Sequence, residues 1–258
     1  MDNEYVLTKD WPGEQERLGL LEAMVDGLST DAIRAAGVQP GARCLDVGAG
    51  SGSIARWLAR QVGDPALVVA TDVDARLLAP LDAEGVEVLV HDVVVDDFPP
   101  QSFDVIHCRS VLEHLVARDE IVGRMLEWLA PDGALVLVDC ASFPVASSPD
   151  AVYRDAMQAW VDVLALTGTD YDWSRTFPTP LVRHDCRDVG LMLSAPVLRG
   201  GSPAARFWSL TLETLRARIV AAELSTDPAL DAAQRLLEDP DFWDLAPAFS
   251  AAWGRPPR

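Results

Sequence analysis

The chain has 258 residues, 40 acidic against 21 basic, with a formal net charge of −19 and a pI near 4.4. That length suits one globular domain able to bury a full core. So acidic a balance excludes nucleic acid as a partner, because phosphate neutralisation needs a basic face, and it disfavours an anionic membrane surface.

Residues 1–37 read as helical. Leu18, Leu21, Met24, Val25 and Leu28 share one face, and Ser29-Thr30-Asp31 is expected to restart a second short helix. The N-terminal stretch Met1-Asp2-Asn3-Glu4-Tyr5 has no apolar signal core, and no run of about 18 apolar residues follows. The expected location is therefore cytoplasmic. Strands and helices alternate from 43 to 139, the pattern of a doubly wound, mostly parallel α/β sheet. An amphipathic stretch over 119–129 is expected to stop at Pro131-Asp132-Gly133 before a fifth strand. The alternation breaks over 141–180, where Pro144, Pro149, Pro178 and Pro180 bracket a predicted helix at 150–166. The sheet is expected to resume at 191–197, followed by a mostly helical insert at 203–245 and a last strand near 249–253.

The most informative stretch is Cys44-Leu45-Asp46-Val47-Gly48-Ala49-Gly50-Ser51-Gly52. An apolar strand runs into three alternate glycines and then into the helical Ser53-Ile54-Ala55-Arg56-Trp57-Leu58-Ala59, which puts a tight turn at the carboxyl end of a first strand. There, open α/β sheets bind nucleoside-like ligands. A dinucleotide fingerprint would want Gly or Ala at position 53, which is Ser. Asp46 suits a cationic amino group and would repel a pyrophosphate. The strand over 66–71 ends in Asp72-Val73-Asp74. Asp72 stands about 20 residues past the glycines, placed to accept from two ribose hydroxyls. Asp74 reads as the cap of the next helix, and Val73 as the face of a purine site. A third strand over 86–90 ends in His91-Asp92-Val93, where Asp92 reads equally as an adenine contact or as a solvated turn acid.

The ordered set Asp46-x-Gly-x-Gly-x-Gly, Asp72, Asp92, Phe103-Asp104-Val105-Ile106-His107-Cys108-Arg109 and Leu129-Ala130-Pro131-Asp132-Gly133-Ala134-Leu135-Val136-Leu137-Val138 resembles class I S-adenosylmethionine-dependent methyltransferases. Within them it is most similar to the small-molecule group of bacterial secondary metabolism. Residues 40–140 carry the likeness; the Arg17-Leu18 region and the closing 251–256 resemble the group more loosely. The resemblance implies a seven-stranded Rossmann-like sheet with S-adenosylmethionine as cofactor. The backbone of Gly48, Ala49 and Gly50 would pack on that cofactor, with Asp46 near its amino group and Asp72 on the ribose. Val73, Asp92 and Val93 would face the adenine, and the carbonyls of Cys108 and Arg109 the methionine end. Arg109 stands where many relatives have a small polar residue, so its guanidinium is expected on the cofactor carboxylate or on an acidic substrate. The implied organisation is one methyltransferase domain over 1–258. It has a helical lid at 1–37, the cofactor core at 40–140, and substrate-side inserts at 141–190 and 203–245.

The inserts carry Phe143, Tyr153, Met157, Trp160, Trp173, Phe177, Phe207 and Trp208. Such rings suit an apolar or aromatic small molecule, or else pack the inserts onto the sheet. Cys44, Cys108, Cys140 and Cys186 show no metal spacing, and no metal is expected. Methyl transfer from a sulfonium needs a base only if the acceptor must lose a proton. His114 and His184 are the candidate bases, with Asp139 and Tyr171 behind them. A nicotinamide-dependent oxidoreductase, or a cofactor-bound protein catalysing a non-methylating rearrangement, stands as the alternative. Oligomeric state and acceptor atom are not encoded in any motif.

Overall fold

The computed structural model describes residues 11–258; the expected helical start over 1–10 lies outside the described residues. Strands β1 (Cys44–Val47), β2 (Val68–Asp72), β3 (Glu87–Val90), β4 (Phe103–Arg109), β5 (Leu129–Ala141), β6 (Arg187–Ser194) and β9 (Ala248–Arg255) form one sheet in the order β3-β2-β1-β4-β5-β9-β6. Pairing is parallel from β3 through β5, and β9 alone runs antiparallel, to both β5 and β6. This is the expected doubly wound, seven-stranded, mostly parallel sheet. The order reverses at β1 and β4, so a crevice opens at their carboxyl ends, the topological switch point of such sheets.

The inner strands β1, β2 and β4 bury both faces, which is why the sequence there runs apolar without strict alternation, whereas the edge strands β3 and β6 are partly exposed. One core lies between the sheet and α1 (Glu14–Ala36), α2 (Ser53–Val62), α5 (Ala151–Ala165), α7 (Pro203–Ala221) and α8 (Asp227–Glu238). A second lies against α4 (Arg118–Trp128) and the short α6 (Thr179–Arg183), with Ile106, Met125, Trp128 and Leu137 at its centre. Helix α3 (Ala79–Ala83) bridges β2 and β3. Capping follows the sequence closely: Asp150 accepts from Val152 and Tyr153 at the start of α5, and Ser202 and Thr226 cap α7 and α8, each meeting otherwise orphaned helix N–H groups.

Three expectations are corrected. Helix α1 does not restart at Ser29; Thr30 Oγ1 donates back to the Gly27 carbonyl (3.0 Å), a bond made inside a continuous helix rather than at a new cap. Pro131-Asp132-Gly133 is not a separate turn. Helix α4 passes directly into β5, and those residues form an irregularity between the pairs Phe103–Leu129 and Val105–Ala134, where a missing ladder bond is tolerated. The strand expected at 191–197 is displaced: β6 ends at Ser194 before Pro196, and β7 (Val197–Arg199) pairs instead with β8 (Trp243–Leu245) in a two-stranded ribbon. The helices expected at 150–166 and within 203–245 form as α5, α7 and α8.

Candidate active site

The turn after β1 is built on left-handed backbone at Gly48 (φ 65°), Gly50 (φ 62°) and Gly52 (φ 87°). A Cβ on Gly48 would sit 2.2 Å from Val111 Cγ2, and one on Gly52 2.4 Å from Leu81 Cδ1, whereas one on Gly50 meets nothing within 4 Å among the described residues. The outer two glycines are therefore required by packing, and the middle one presents bare backbone to open space, the condition for close ligand approach. Asp72 fastens the turn: its Oδ2 accepts from Gly50 N (3.1 Å) and its Oδ1 from Asp74 N (3.0 Å). Ala49 N donates to the Thr71 carbonyl (2.8 Å). Asp74 caps the following turn through Arg76 N (3.2 Å). The Asp72 carboxylate thus lies against the glycine backbone at the crevice floor, and Val73 beside it is 56% exposed on the rim.

The other predicted contacts divide. Asp92 Oδ1 accepts from Val94 N (2.9 Å), and Asp92 N donates to Asp96 Oδ2 (2.8 Å), which is the turn-acid arrangement. Val93 is buried, and its carbonyl, with that of Val94, is held by the Arg124 guanidinium. Cys108 turns its thiol into the second core, where burial pushes the thiol up. Only its backbone faces the end of β4, next to Ser110, which takes φ 52°, an uncommon conformation for a non-glycine residue. The Arg109 guanidinium is engaged by Asp26 of α1 (2.7 Å), with Ser29 Oγ and Ser53 Oγ each at 3.4 Å. Ser53 Oγ also donates to Asp26 (3.0 Å), and Ser51 Oγ to Glu22. Helix α1 is in this way tied by a polar stripe, Glu22, Asp26 and Ser29, across the glycine turn.

Sequence reasoning missed His107. It is the register partner of Asp46 across the β1–β4 ladder, and its Nδ1 donates to Asp46 Oδ1 (2.8 Å), with side-chain exposures of 1% and 3%. A polar residue on each of two adjacent buried strands was the available signal.

At the carboxyl ends of β4 and β5 a second buried polar group forms. His114 Nδ1 meets Thr169 Oγ1 (3.1 Å), its Nε2 lies 3.5 Å from Glu113 Oε1, and its ring stands edge-on to Tyr171. Burial, with the Arg17 and Arg118 charges, pushes the imidazole down to about 4, so it is neutral at pH 7. Glu113 Oε2 accepts from Cys140 N (2.5 Å). Burial and the neighbouring Asp139 carboxyl raise Glu113 well above the usual range, and burial pushes Asp139 up to about 8 despite backbone N–H bonds from Ser110 and Val111. His184 is not brought here; its Nε2 donates to the Asp119 carbonyl (3.2 Å) on α4. The insert rings Tyr153, Trp160, Phe207 and Trp208, with Met157, belong to the first core, and Trp173 and Phe177 to the second. Trp160 packs between Tyr171 (4.3 Å, tilted) and Trp208 (4.8 Å, edge-to-face). Packing is thus the main work of these rings. Among the described residues no helix is long and apolar enough to cross a membrane.

Comparison with known proteins agrees with this geometry. The phosphoethanolamine N-methyltransferase 3 of Arabidopsis thaliana is 30% identical over 121 residues, 45% of this chain and 25% of that protein. The ubiquinone/menaquinone biosynthesis C-methyltransferase UbiE of Vibrio parahaemolyticus is 31% identical over 129 residues, 47% of this chain and 49% of that one. The chain therefore spans half or less of the length of these curated relatives. In fold it is similar to a Haemonchus contortus phosphoethanolamine N-methyltransferase 2, solved with phosphomonomethylethanolamine and S-adenosylhomocysteine. That likeness has a TM-score of 0.62 at 15% identity and covers 100% of this chain and 61% of that one. The methyltransferase-domain family profile matches residues 23–188, from the middle of α1 through the glycine turn into β6, and the chain belongs to that family.

Proposed function

We propose that the protein transfers a methyl group from S-adenosylmethionine to a small organic acceptor with an apolar or aromatic body, without a metal ion. The observation that carries the reading is the glycine turn, with bare backbone at Gly50 beside the Asp72 carboxylate at the carboxyl end of β2. When bound, the cofactor supplies an electrophilic methyl group on a sulfonium. Gly48, Ala49 and Gly50 present backbone to it, Asp72 holds the ribose, and Val73, Asp92 and Val93 border the adenine. Asp46 and the Cys108 and Arg109 backbone serve the amino-acid end. Because the displacement discharges a cation, orientation and exclusion of water carry most of the rate. A neutral His114 is the group available to take a proton if the acceptor is a hydroxyl. The relatives named above act at nitrogen in one case and at carbon in the other, so the acceptor atom is a matter for experiment.

A screen of small phenols, amines and carboxylic acids with S-adenosylmethionine, read by mass spectrometry, tests the proposal. Methylated product is expected from at least one class, unaffected by a chelator. Absence of product in every class, with hydride transfer from a nicotinamide dinucleotide instead, would overturn it.

A further inference from the structure

Beneath the glycine turn lies a buried pair, Asp46 and His107. Asp46 and His107 occupy neighbouring positions on β1 and β4, facing the core under α1, and both side chains are almost wholly buried. Only one atom of each is used. Asp46 Oδ1 accepts from His107 Nδ1 at 2.8 Å, while Asp46 Oδ2 and His107 Nε2 have no hydrogen-bond partner among the described residues. Buried polar atoms are nearly always satisfied, and a buried carboxylate with an unused oxygen is costly to the fold. A carboxylate kept in such a place, two residues before Gly48, is held for something other than folding. Its neighbours close off the alternatives. The next polar side chain along β4 on this face, Arg109, is committed to Asp26. Thr71 Oγ1 donates to the Asp46 main-chain oxygen (3.3 Å) and not to its carboxylate.

We infer that His107 is a positioning residue for the cofactor's amino-acid end. Its Nδ1–H fixes one oxygen of Asp46, sets the plane of the carboxylate, and leaves the second oxygen to receive the ammonium group. The tautomer follows: an ionised Asp46 requires the proton on Nδ1. A carboxylate released from this bond would be free to rotate and would then bind a cationic amine less well. The inference rests on the cofactor reading proposed above, and the test separates the two.

The experiment is calorimetric titration of the wild type, His107→Phe and His107→Asn with two ligands: S-adenosylhomocysteine, and 5′-methylthioadenosine, which shares the nucleoside and sulfur but lacks the amino-acid end. The wild type is expected to prefer S-adenosylhomocysteine. His107→Phe should lose about 10-fold or more of that affinity, the worth of a hydrogen bond to a charged group, with methylthioadenosine affinity unchanged within a few-fold. His107→Asn places an amide N–H close to the position of Nδ1 and should restore most of the preference. General damage to the fold would lower both ligands together, and that result overturns the assignment, as does a His107→Phe variant that keeps the wild-type preference. A wild type that binds neither ligand refutes the cofactor reading and this inference with it.

Discussion

The pairing of Glu113 with Asp139 makes a specific demand on stability as pH changes. Both carboxyls are buried, at 2% and 1% exposure, between the tails of β4 and β5, and Glu113 bridges the two through Cys140 N. Asp139 is pushed up to about 8 from an ordinary 3.8, so the folded protein keeps a proton that the unfolded chain gives up near pH 4. A folded-state acid pKa raised in this way stabilises fully below the unfolded value, and the contribution drains away as pH rises toward 8. Each retained proton gives a slope of about 1.4 kcal/mol per pH unit. The clearest window is pH 7 to 8. Below it the histidines of the unfolded chain take up protons; above it unfolded cysteines ionise, while burial holds Cys44 up to about 12 and Cys186 up to about 11. Urea denaturation across that window should show the wild type losing on the order of 1 kcal/mol. Glu113→Gln keeps an amide oxygen for Cys140 N and removes the proton that Glu113 itself retains in the folded state, so the slope between pH 7 and 8 should fall by about half. A wild-type stability that is level or rising from pH 7 to 8, or a Glu113→Gln variant with the same slope, would refute the reasoning.

Other outcomes follow from the same geometry. Gly48→Ala forces its Cβ against Val111 and should destabilise the fold, while Gly50→Ala, with open space around it, should cost only about 1 kcal/mol of left-handed strain but weaken cofactor binding; equal thermal shifts in the two variants would count against the distinction. Asp72→Ala should weaken S-adenosylmethionine and S-adenosylhomocysteine alike, by about 2 kcal/mol or more for two lost bonds to a charged acceptor, read by calorimetry. With a hydroxyl acceptor, His114→Ala should lower turnover by about 10²–10⁴ and His184→Ala should leave it unchanged; the reverse order would put the base on α6. Asp26→Asn should loosen α1, seen as faster amide exchange over Glu14–Ala36 that slows again on cofactor binding, and unchanged exchange would mean that the Arg109–Asp26 pair does not hold the helix down.

Much of this molecule was legible in one dimension because parallel strands must bury both faces. The runs at 44–47, 68–72 and 103–109 could be little else, and the glycine spacing between β1 and α2 could serve only a turn at the switch point. Asp72 was readable for the same reason: its place is fixed by the end of β2. What was not legible depends on contacts between distant segments. Asp26 and Arg109 are 83 residues apart, and nothing local marks either as the other's partner. His107 looks like an irregular polar residue in an apolar strand until the register sets it beside Asp46. The insert rings were a choice between lid and core that composition cannot make; α5 and α7 bury Tyr153, Trp160, Phe207 and Trp208 in the first core, while Trp173 and Phe177 pack in the second. Pro196 ended β6 as proline must, yet the ribbon with β8 depended on where the chain returned after α8.

The central claim is that the crevice over Gly50 and Asp72 binds an adenosyl amino acid and no dinucleotide. Titration of the purified protein with S-adenosylhomocysteine, against a nicotinamide dinucleotide under the same conditions, tests it most directly. One-to-one binding of S-adenosylhomocysteine in the micromolar range or tighter is expected, with none of the dinucleotide. Silence with S-adenosylhomocysteine and micromolar binding of the dinucleotide would contradict it.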